Sequence, residues 1–323
     1  MLFILAVWVI YRQMHKHPWH EIVEAFSSIS WRGLLMGILF TCIGYFILTG
    51  YDYLAMHYVS HPMKYRRVAL AAFIGYAFSN SIGHSFLTGG GVRYRLYSIW
   101  GVSGINIAKV IAFGHVAFYL GMLVLIGQGC LLEPQLVIDE VHLPRVAIQA
   151  VGALMIALVV AYFIWTMRRR KPLNLKWLDF PMPSFRLSIA QLVIATLDMA
   201  LVAAVLYVLL PGDIGVSFVG FVGLFMIAQV IGVGSQVPGG LGVFETIMLH
   251  VLSPRLSDVQ VLAALLVYRV TYFIVPMIIA AAALGAYEVK VQHRAMRKAR
   301  AADMLRRVAK DAASEMSSVD DQR

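Results

Sequence analysis

The chain has 323 residues, of which 60% are hydrophobic and only 14% are charged, and its mean hydropathy is +0.76. This composition excludes a soluble globular protein and indicates an all-α polytopic membrane protein. The formal net charge of +10 lies in loops that flank apolar segments, so it indicates the positive-inside bias of a membrane protein and not nucleic-acid binding.

Eight apolar segments follow one another along the chain. In order they are Met1–Tyr11, Leu34–Leu54, Val68–Leu87, Ile105–Cys130, Val146–Met167, Ser188–Leu210, Ser217–Gln236 with Val243–Leu252, and Val259–Tyr287. The first is too short for the roughly 20 residues that a spanning helix needs, so either it tilts against partners or the chain begins further upstream. We expect about 6–8 transmembrane helices in a membrane domain over residues 1–287, followed by a charged tail over residues 288–323. Between the first two segments, Trp19–Ser28 is predicted to be an interfacial amphipathic helix.

Charged loops give the predicted orientation in the membrane. The loop Arg168–Lys171 and the tail around Lys290–Arg300 are strongly basic, and we place both in the cytoplasm. The acidic stretch Glu133–Glu140 is placed outside. These assignments predict a multi-pass protein with both termini in the cytoplasm.

The segment Val68–Leu87 has basic residues at both ends. Lys64, Arg66 and Arg67 precede it, and Arg93 and Arg95 follow it. The positive-inside rule then places both ends in the cytoplasm, which one crossing cannot do but a re-entrant hairpin can. An ordinary span with Arg93 and Arg95 outside stays open as the alternative.

The second half repeats this conflict in the opposite orientation, because Ser217–Leu252 must start and end outside. Glycine-rich stretches mark the two predicted tips, which are Gly89, Gly90 and Gly91 in the first hairpin and Pro238, Gly239, Gly240 and Gly242 in the second. The same spacing of 150 residues separates Gly89 from Gly239 and Ser85 from Ser235. We therefore predict two re-entrant, Gly-broken hairpins in an inverted repeat, with units over about 34–130 and 188–287. Non-helical backbone at membrane depth must be buried or line a cavity, so both tips should face one polar cavity near the midplane.

Ionisable residues inside apolar segments are functional candidates, because each costs about 2.5–3.5 kcal/mol on insertion scales. Asp198 and Arg269 lie near the middle of their segments, and Glu245 follows the second tip. We predict that Arg269 pairs with Asp198 or Glu245. Tyr272 lies on the same helix face as Arg269. The alternative is that the three charged residues are interhelical ion pairs that only hold the bundle together.

Arg93 and Arg95 follow the first tip, where arginine would suit bidentate contacts with phosphate. Their simpler interpretation is that they anchor the chain at the cytoplasmic interface. His84 and His115 lie within apolar segments and could relay protons, although such histidines are more often satisfied core residues. Nucleotide-binding, zinc and hydrolase motifs are absent from the sequence, so no cofactor or metal is expected.

Several stretches together resemble a known family. They are Thr49–Leu54, Tyr65–Leu70, Phe73–Phe78, Gly89–Ser98, Leu197–Asp198, Pro238–Glu245 and Tyr268–Tyr272. This pattern, which covers nearly the whole chain before the tail, resembles the N-terminal membrane domain of bacterial multiple peptide resistance factors. Those proteins are bifunctional lysylphosphatidylglycerol flippase/synthases.

The resemblance implies a bacterial inner-membrane translocase that moves aminoacyl-phosphatidylglycerol to the outer leaflet and so contributes to resistance to cationic peptides. The candidate headgroup-binding residues are Arg93, Arg95, Asp198, Glu245, Arg269 and Tyr272. Family synthases carry a further membrane part and a soluble acyltransferase-like domain, whereas this chain ends at Arg323, so we expect no enzyme activity.

The expected partners are membrane phospholipid and a separate aminoacyl-phosphatidylglycerol synthase, with no nucleic acid. A homo-oligomer is left open. Two other functions also stay open: a non-transporting scaffold subunit of a lipid or glycan synthase, and an excised half of the bifunctional protein.

Overall fold

The computed structural model describes residues 18–82, 88–141, 143–168, 173–175, 178–180, 182–212, 214–235, 237–293 and 296–297. The predicted segment Met1–Tyr11, His84 and most of the predicted tail lie outside the described residues. The chain divides into two compact units, Met1–Met277 and Ile278–Arg323, and both Gly-rich hairpins belong to the first.

Nearly every described element is a helix. In chain order the helices are α1 Trp19–Ser28, α2 Trp31–Tyr58, α3 Tyr65–Ile82, α4 Thr88–Ile99, α5 Gly104–Leu132, α6 Pro134–Val141, α7 Arg145–Arg168, α8 Phe185–Leu209, α9 Phe218–Gly234, α10 Val243–Leu252 and α11 Asp258–Arg269. A π-helix over Val270–Ile274 follows α11, and residues 275–293 are again α-helical. The exception is a short antiparallel pair, β1 Leu173–Leu175 and β2 Leu178–Phe180.

Five helices of the described residues are long and apolar enough to cross a membrane. They are Trp31–Tyr58, Gly104–Leu132, Arg145–Arg168, Phe185–Leu209 and Asp258–His293. Two shorter apolar helices, α9 and α10, belong to the second predicted hairpin. The predicted all-α polytopic membrane fold is therefore confirmed. The predicted amphipathic helix over Trp19–Ser28 is also present, with Ala25 packed in a small cluster with Val259 and Ala263.

Serine residues mark where five helices begin. The hydroxyls of Ser30, Ser103, Ser184, Ser217 and Ser257 each accept a hydrogen bond from the backbone N–H three residues later. Each such cap satisfies one of the free N–H groups in the first turn and is worth about 1 kcal/mol. The local sequence thus positions the ends of the long helices.

Helices α3 and α4 form the first hairpin. At its open end, the guanidinium of Arg67 on α3 lies 5.8 Å from the ring centroid of Trp100, directly after α4. At its closed end, Gly89 lies against Ser79 and the backbone carbonyl of Gly75. The chain therefore returns to the side on which it started, as the charge pattern predicted.

The three glycines predicted at the first tip instead lie in the first turn of α4. The connection between the two helices, residues 83–87, lies outside the described residues. A Cβ on Gly89 would overlap both the Gly75 carbonyl and the Ser79 hydroxyl, so glycine is needed at Gly89 for the close approach of two helices.

The second hairpin consists of α9, a 3-10 turn over Pro238–Gly240, and α10. Gly239, Gly240 and Gly242 have φ values of +66°, +62° and +83°, which side-chain-bearing residues rarely adopt. These glycines form the tip that the sequence predicted. The ring centroids of Phe225 on α9 and Phe244 on α10 lie 5.2 Å apart and hold the two arms together.

The second tip touches the end of the first hairpin. A Cβ on Gly239 would lie 3.5 Å from the carbonyl oxygen of Ser81, near the end of α3. The Ser81 hydroxyl donates to the carbonyl of Phe273 in the π-helix (3.0 Å). Pro276 lacks the N–H that would otherwise reach the Tyr272 carbonyl, and this carbonyl accepts instead from the Tyr45 hydroxyl (3.1 Å).

Gly89→Ala should lower the free energy of unfolding by about 1–3 kcal/mol, because the added methyl group forces α3 and α4 apart. Gly91→Ala is the matched control, since nothing lies within 4 Å of a Cβ at that position. Alanine there should be neutral or stabilising by up to about 1 kcal/mol. Unfolding of both variants in detergent micelles tests the packing, and equal effects would contradict it.

Candidate functional site

A cavity of about 370 Å³ lies between the two hairpins and the long helices of the first unit. Its charged lining residues, within the described parts of the chain, are Asp52, Arg93 and Asp198. Its aromatic lining residues are Tyr51, Tyr76, Phe118, Tyr119, Phe225, Phe244, Tyr272 and Phe273. Both hairpins contribute, with Ser79 and Arg93 from the first and Gly232, Gly239 and Gly240 from the second. Charged groups, phenol rings and backbone from the Gly-rich tip therefore meet in one place.

Arg93 is held on the first hairpin by an acid from α2. Its Nε donates to Oδ2 of Asp52 at 2.8 Å, and both side chains are buried. The Tyr97 hydroxyl donates to the same Asp52 oxygen at 2.7 Å. The guanidinium carbon of Arg93 lies 4.1 Å from the centroid of the Tyr76 ring, and Nη2 has no hydrogen-bond partner. Arg93 therefore has donor capacity that the described protein groups leave unused.

Asp198 on α8 is buried and lines the same cavity. Its Oδ2 accepts a hydrogen bond from the Tyr51 hydroxyl at 3.2 Å, and its Oδ1 has no hydrogen-bond partner. Among the described residues, no lysine, arginine or histidine forms an ion pair with it. Asp198 is thus an acid held in place by one neutral donor, with acceptor capacity that a cationic group would satisfy.

Arg269 forms its ion pair with Glu245, the second of the two acids predicted as partners. Nε and Nη2 of Arg269 lie 2.7 Å and 2.6 Å from Oε1 of Glu245. Arg269 Nη1 also donates to the Gly239 carbonyl at 3.0 Å, and Glu245 Oε2 accepts from the Gly242 N–H at 2.7 Å. Neither charged side chain lines the cavity. This pair holds the second tip in shape and caps α10.

Other predicted site residues fall in different places. Tyr272 is buried, lines the cavity and stacks on Tyr268. His115 is half-buried and lines the cavity, and its Nδ1 lies 2.8 Å from the Ile111 carbonyl. Arg95 is exposed and does not line the cavity, because two residues along a helix turn a side chain to nearly the opposite face from Arg93.

The buried position of Arg93 also changes its part in the orientation argument. The sequence interpretation counted Arg93 and Arg95 as residues of a basic loop, but both lie on helix α4 and Arg93 is neutralised by Asp52. Its charge therefore adds little to the positive-inside bias at that end. The exposed residues Arg67, which lies beside Trp100, and Arg95 remain as basic residues at that end of the hairpin.

The acid that holds Arg93 was missed at the sequence level. Asp52 lies within the predicted apolar segment Leu34–Leu54, so the rule that identified Asp198 would also have identified Asp52. Its neighbours Tyr51, Tyr76 and Tyr97 carried no comparable signal, because tyrosine is uncharged and is enriched at both membrane interfaces in any case. No cluster of three or more metal-binding side chains occurs in the part of the chain that the structure describes.

Two isosteric amide substitutions should differ in their effects on stability. Asp198→Asn should leave the free energy of unfolding within about 1 kcal/mol of the unmodified protein or raise it, because Asp198 has no ion-pair partner to lose. Glu245→Gln should lower it, because Arg269 then loses the negative charge that compensates its own. Chemical unfolding in mixed micelles measures both, and a clear loss of stability in Asp198→Asn would contradict this assignment.

Comparison with known proteins identifies one family over most of the chain. A family model described as the lysylphosphatidylglycerol synthase TM region matches residues 1–280. An uncharacterized protein of Synechocystis sp. is 39% identical over 297 residues, covering 92% of each chain. The inner membrane protein YbhN of Escherichia coli is 26% identical over 287 residues, covering 87% of this chain and 88% of its own.

A third relative is much longer than this chain. A phosphatidylglycerol lysyltransferase of Staphylococcus haemolyticus is 28% identical over 286 residues. The match covers 87% of this chain but 32% of that protein. The similarity is therefore to one part of the longer protein.

Proposed function

The chain belongs to the family of the lysylphosphatidylglycerol synthase transmembrane region, and we propose that it translocates an aminoacylated phospholipid between the leaflets of a bacterial inner membrane. The observation that carries this proposal is the cavity between the two hairpins, where Arg93 and Asp198 offer unused hydrogen-bonding capacity of opposite charge. A lysylphosphatidylglycerol headgroup has the matching groups, a phosphate and two amines. Its movement to the outer leaflet would lower the negative surface charge and weaken the attraction of cationic peptides.

In this proposal the headgroup lies across the cavity. Its phosphate lies near Arg93, because a guanidinium presents several donors in a plane that fits phosphate oxygens. A cationic amine lies near Asp198, among the faces of the tyrosine rings that line the cavity. Glu245 and Arg269, which were candidates for direct contact, act by holding the second tip.

The size of the cavity suits a headgroup and not a whole lipid. Ligand cavities commonly measure about 300–1,000 Å³, and this one is near the lower end at about 370 Å³. The hydrocarbon chains would therefore remain in the bilayer while the headgroup crosses. This arrangement removes the main cost of translocation, which is the exposure of a charged headgroup to hydrocarbon.

The proposed transport does not use nucleotide bound to this chain, whose sequence has no phosphate-binding loop motif. A lipid with two amines and one phosphate carries about one net positive charge, and moving it outward against 100 mV costs about 2.3 kcal/mol. Continued synthesis on the inner leaflet could supply this by mass action, since a tenfold concentration ratio is worth about 1.4 kcal/mol. Inward proton movement through Asp198, His84 or His115 is the other source that we propose.

We further propose that a separate aminoacyl-phosphatidylglycerol synthase supplies the lipid, and that both termini of the chain face the cytoplasm. A non-transporting scaffold for such a synthase is the alternative. Cysteine labelling at Ser98 and Ser257 tests the orientation, with Ser98 expected to react only from the cytoplasm and Ser257 only from outside. Labelling of Ser98 from outside would contradict it.

Reconstitution tests the transport itself. The purified chain is placed in liposomes with fluorescent lysylphosphatidylglycerol and no nucleotide, and a membrane-impermeant quencher reports the lipid that reaches each leaflet. We expect translocation by the unmodified protein and by Arg186→Ala, an exposed control position, and its loss in Asp198→Asn. Because Asp198→Asn should remain folded, loss of transport would not reflect unfolding.

Three results would contradict the proposal. Unchanged rates in both Asp198→Asn and Arg93→Ala would exclude the headgroup contacts. A strict requirement for added ATP would indicate a motor on another chain. No translocation by well-folded protein would favour the scaffold function, which also predicts that bulky residues at Gly239 and Gly240 are tolerated.

A further inference from the structure

The wall of the cavity between α5 and α9 differs from its other sides. On α2 and α8, the charged and aromatic lining residues Tyr51, Asp52 and Asp198 are buried. On α5 and α9, by contrast, the lining residues Tyr119 and Val233 are 53% and 52% exposed. The cavity therefore reaches the protein surface between these two helices.

The packing of the two helices explains the gap. They meet closely at one point, where a Cβ on Gly129 would lie 2.9 Å from the Cα of Gly223. Both Tyr119 and Val233 lie well away from that crossing point along their helices. There the helices line the cavity, and the Tyr76 hydroxyl packs close to Gly114 on α5, where it would lie 3.3 Å from a Cβ.

The opening lies at a depth where the surroundings are hydrocarbon. Tyr119 lies near the middle of α5, one of the membrane-spanning helices. Val233 lies at the C-terminal end of α9, next to the Gly-rich tip of the second hairpin. Their outward-facing neighbours Val116, Val230 and Ile231 are apolar and are 42%, 36% and 48% exposed. An opening that is surrounded by apolar side chains in the middle of a membrane faces lipid chains and not water.

We propose that the gap between Tyr119 and Val233 is a binding site for a phospholipid acyl chain, through which the tail of a lipid stays in the bilayer while its headgroup occupies the cavity. This site rests on the proposed function, since its occupant is the tail of the translocated lipid. It adds the position at which the lipid enters from the side. The continuity of an apolar opening with a charged cavity matches the two ends of one phospholipid.

Photolabelling of the unmodified chain in liposomes tests the site. The probe is lysylphosphatidylglycerol with a diazirine group in one acyl chain, and labelled residues are found by mass spectrometry. Labelling at Tyr119 and Val233 should saturate, and excess unlabelled lysylphosphatidylglycerol should reduce it at least fivefold. Diacylglycerol with the same chains should compete poorly, because it lacks the headgroup. Leu154 is the control, since it lies near the middle of α7 with 60% exposure, contacts bulk lipid and should label without saturation.

Two variants and one control variant complete the test. Asp198→Asn should reduce the saturable labelling at Val233 but not the labelling at Leu154, because the headgroup is no longer held. Val233→Trp should reduce labelling at Tyr119 by filling the gap, whereas Leu154→Trp should not. If labelling at Val233 is as unsaturable as at Leu154, or if diacylglycerol competes equally well, the site is wrong. Saturable labelling without translocation in the liposome assay would keep the site and reject only transport.

Discussion

Arg269→Ala is expected to lower the free energy of unfolding by about 3–5 kcal/mol, because it leaves Glu245 buried without its charge partner. The same substitution removes the hydrogen bond from Arg269 to the Gly239 carbonyl, so the tip loses a second support. Arg269→Lys keeps the charge but cannot reproduce the planar set of donors, so its free energy of unfolding should lie between those of the unmodified protein and Arg269→Ala. Unfolding in mixed micelles gives the free energies.

A double-mutant cycle identifies the partner. Arg269→Ala and Glu245→Ala should show strong coupling, so that the double variant is more stable than the sum of the single changes predicts. Arg269→Ala and Asp198→Ala should be additive within about 0.3–0.5 kcal/mol, because these side chains form no ion pair. Arg186→Ala, at an exposed position, should change stability by less than about 0.5 kcal/mol. Coupling of Arg269 to Asp198 in place of Glu245 would contradict the structure.

Asp52→Ala should be about as damaging, at about 3–5 kcal/mol, because Arg93 would then be a buried cation with no acid beside it. The Tyr97 hydroxyl would also lose its acceptor. Asp52→Asn should cost less, since its amide oxygen can still accept from both groups. Removing Asp52 and Arg93 together should recover part of the loss of stability.

The control for Asp52 is an acid that makes no such contact. Glu24 is exposed on α1, and Glu24→Ala should change stability by less than about 0.5 kcal/mol. Thermal and chemical unfolding of the Asp52 and Glu24 variants side by side separate a buried ion pair from a general loss of charge. If Asp52→Ala unfolds no more easily than Glu24→Ala, the pair does not stabilise the fold.

The sequence predicted those parts of the fold that depend on composition and on local backbone chemistry. Apolar length predicted the long helices, and the positive φ of Gly239 and Gly240 agrees with their prediction as a tip. The start of α10 at Val243 follows directly from that glycine-rich turn. The basic residues at both ends of the first hairpin predicted that α3 and α4 return to one side. Arg93 was counted among them as a loop residue, although it is buried on α4 and neutralised by Asp52.

What the sequence left undecided depends on which side chains meet across helices. Asp198 and Glu245 were equivalent partners for Arg269 at the sequence level, because both are acids in apolar segments. The packing of the helices brings Glu245 to Arg269, outside the cavity lining, and leaves Asp198 with Tyr51, which both line the cavity. Likewise, Gly89 looked like a turn residue, but its role is to let two helices touch, which only the packing of α3 against α4 reveals.

The hydrogen bond between Arg269 and the Gly239 carbonyl bears on how often the second tip can leave its place. A hydrogen bond to a charged group is worth about 1.5–3 kcal/mol, so a conformer with the tip lifted from Arg269 starts with that deficit. Since each 1.4 kcal/mol is a factor of ten, this bond alone makes the lifted conformer roughly 10- to 100-fold rarer than the seated one. The conformer in which the tip contacts Arg269 is therefore the main population of the protein. A group that provides Arg269 with another acceptor offsets this deficit, which is a role that an anionic group can fill and an alkyl chain cannot.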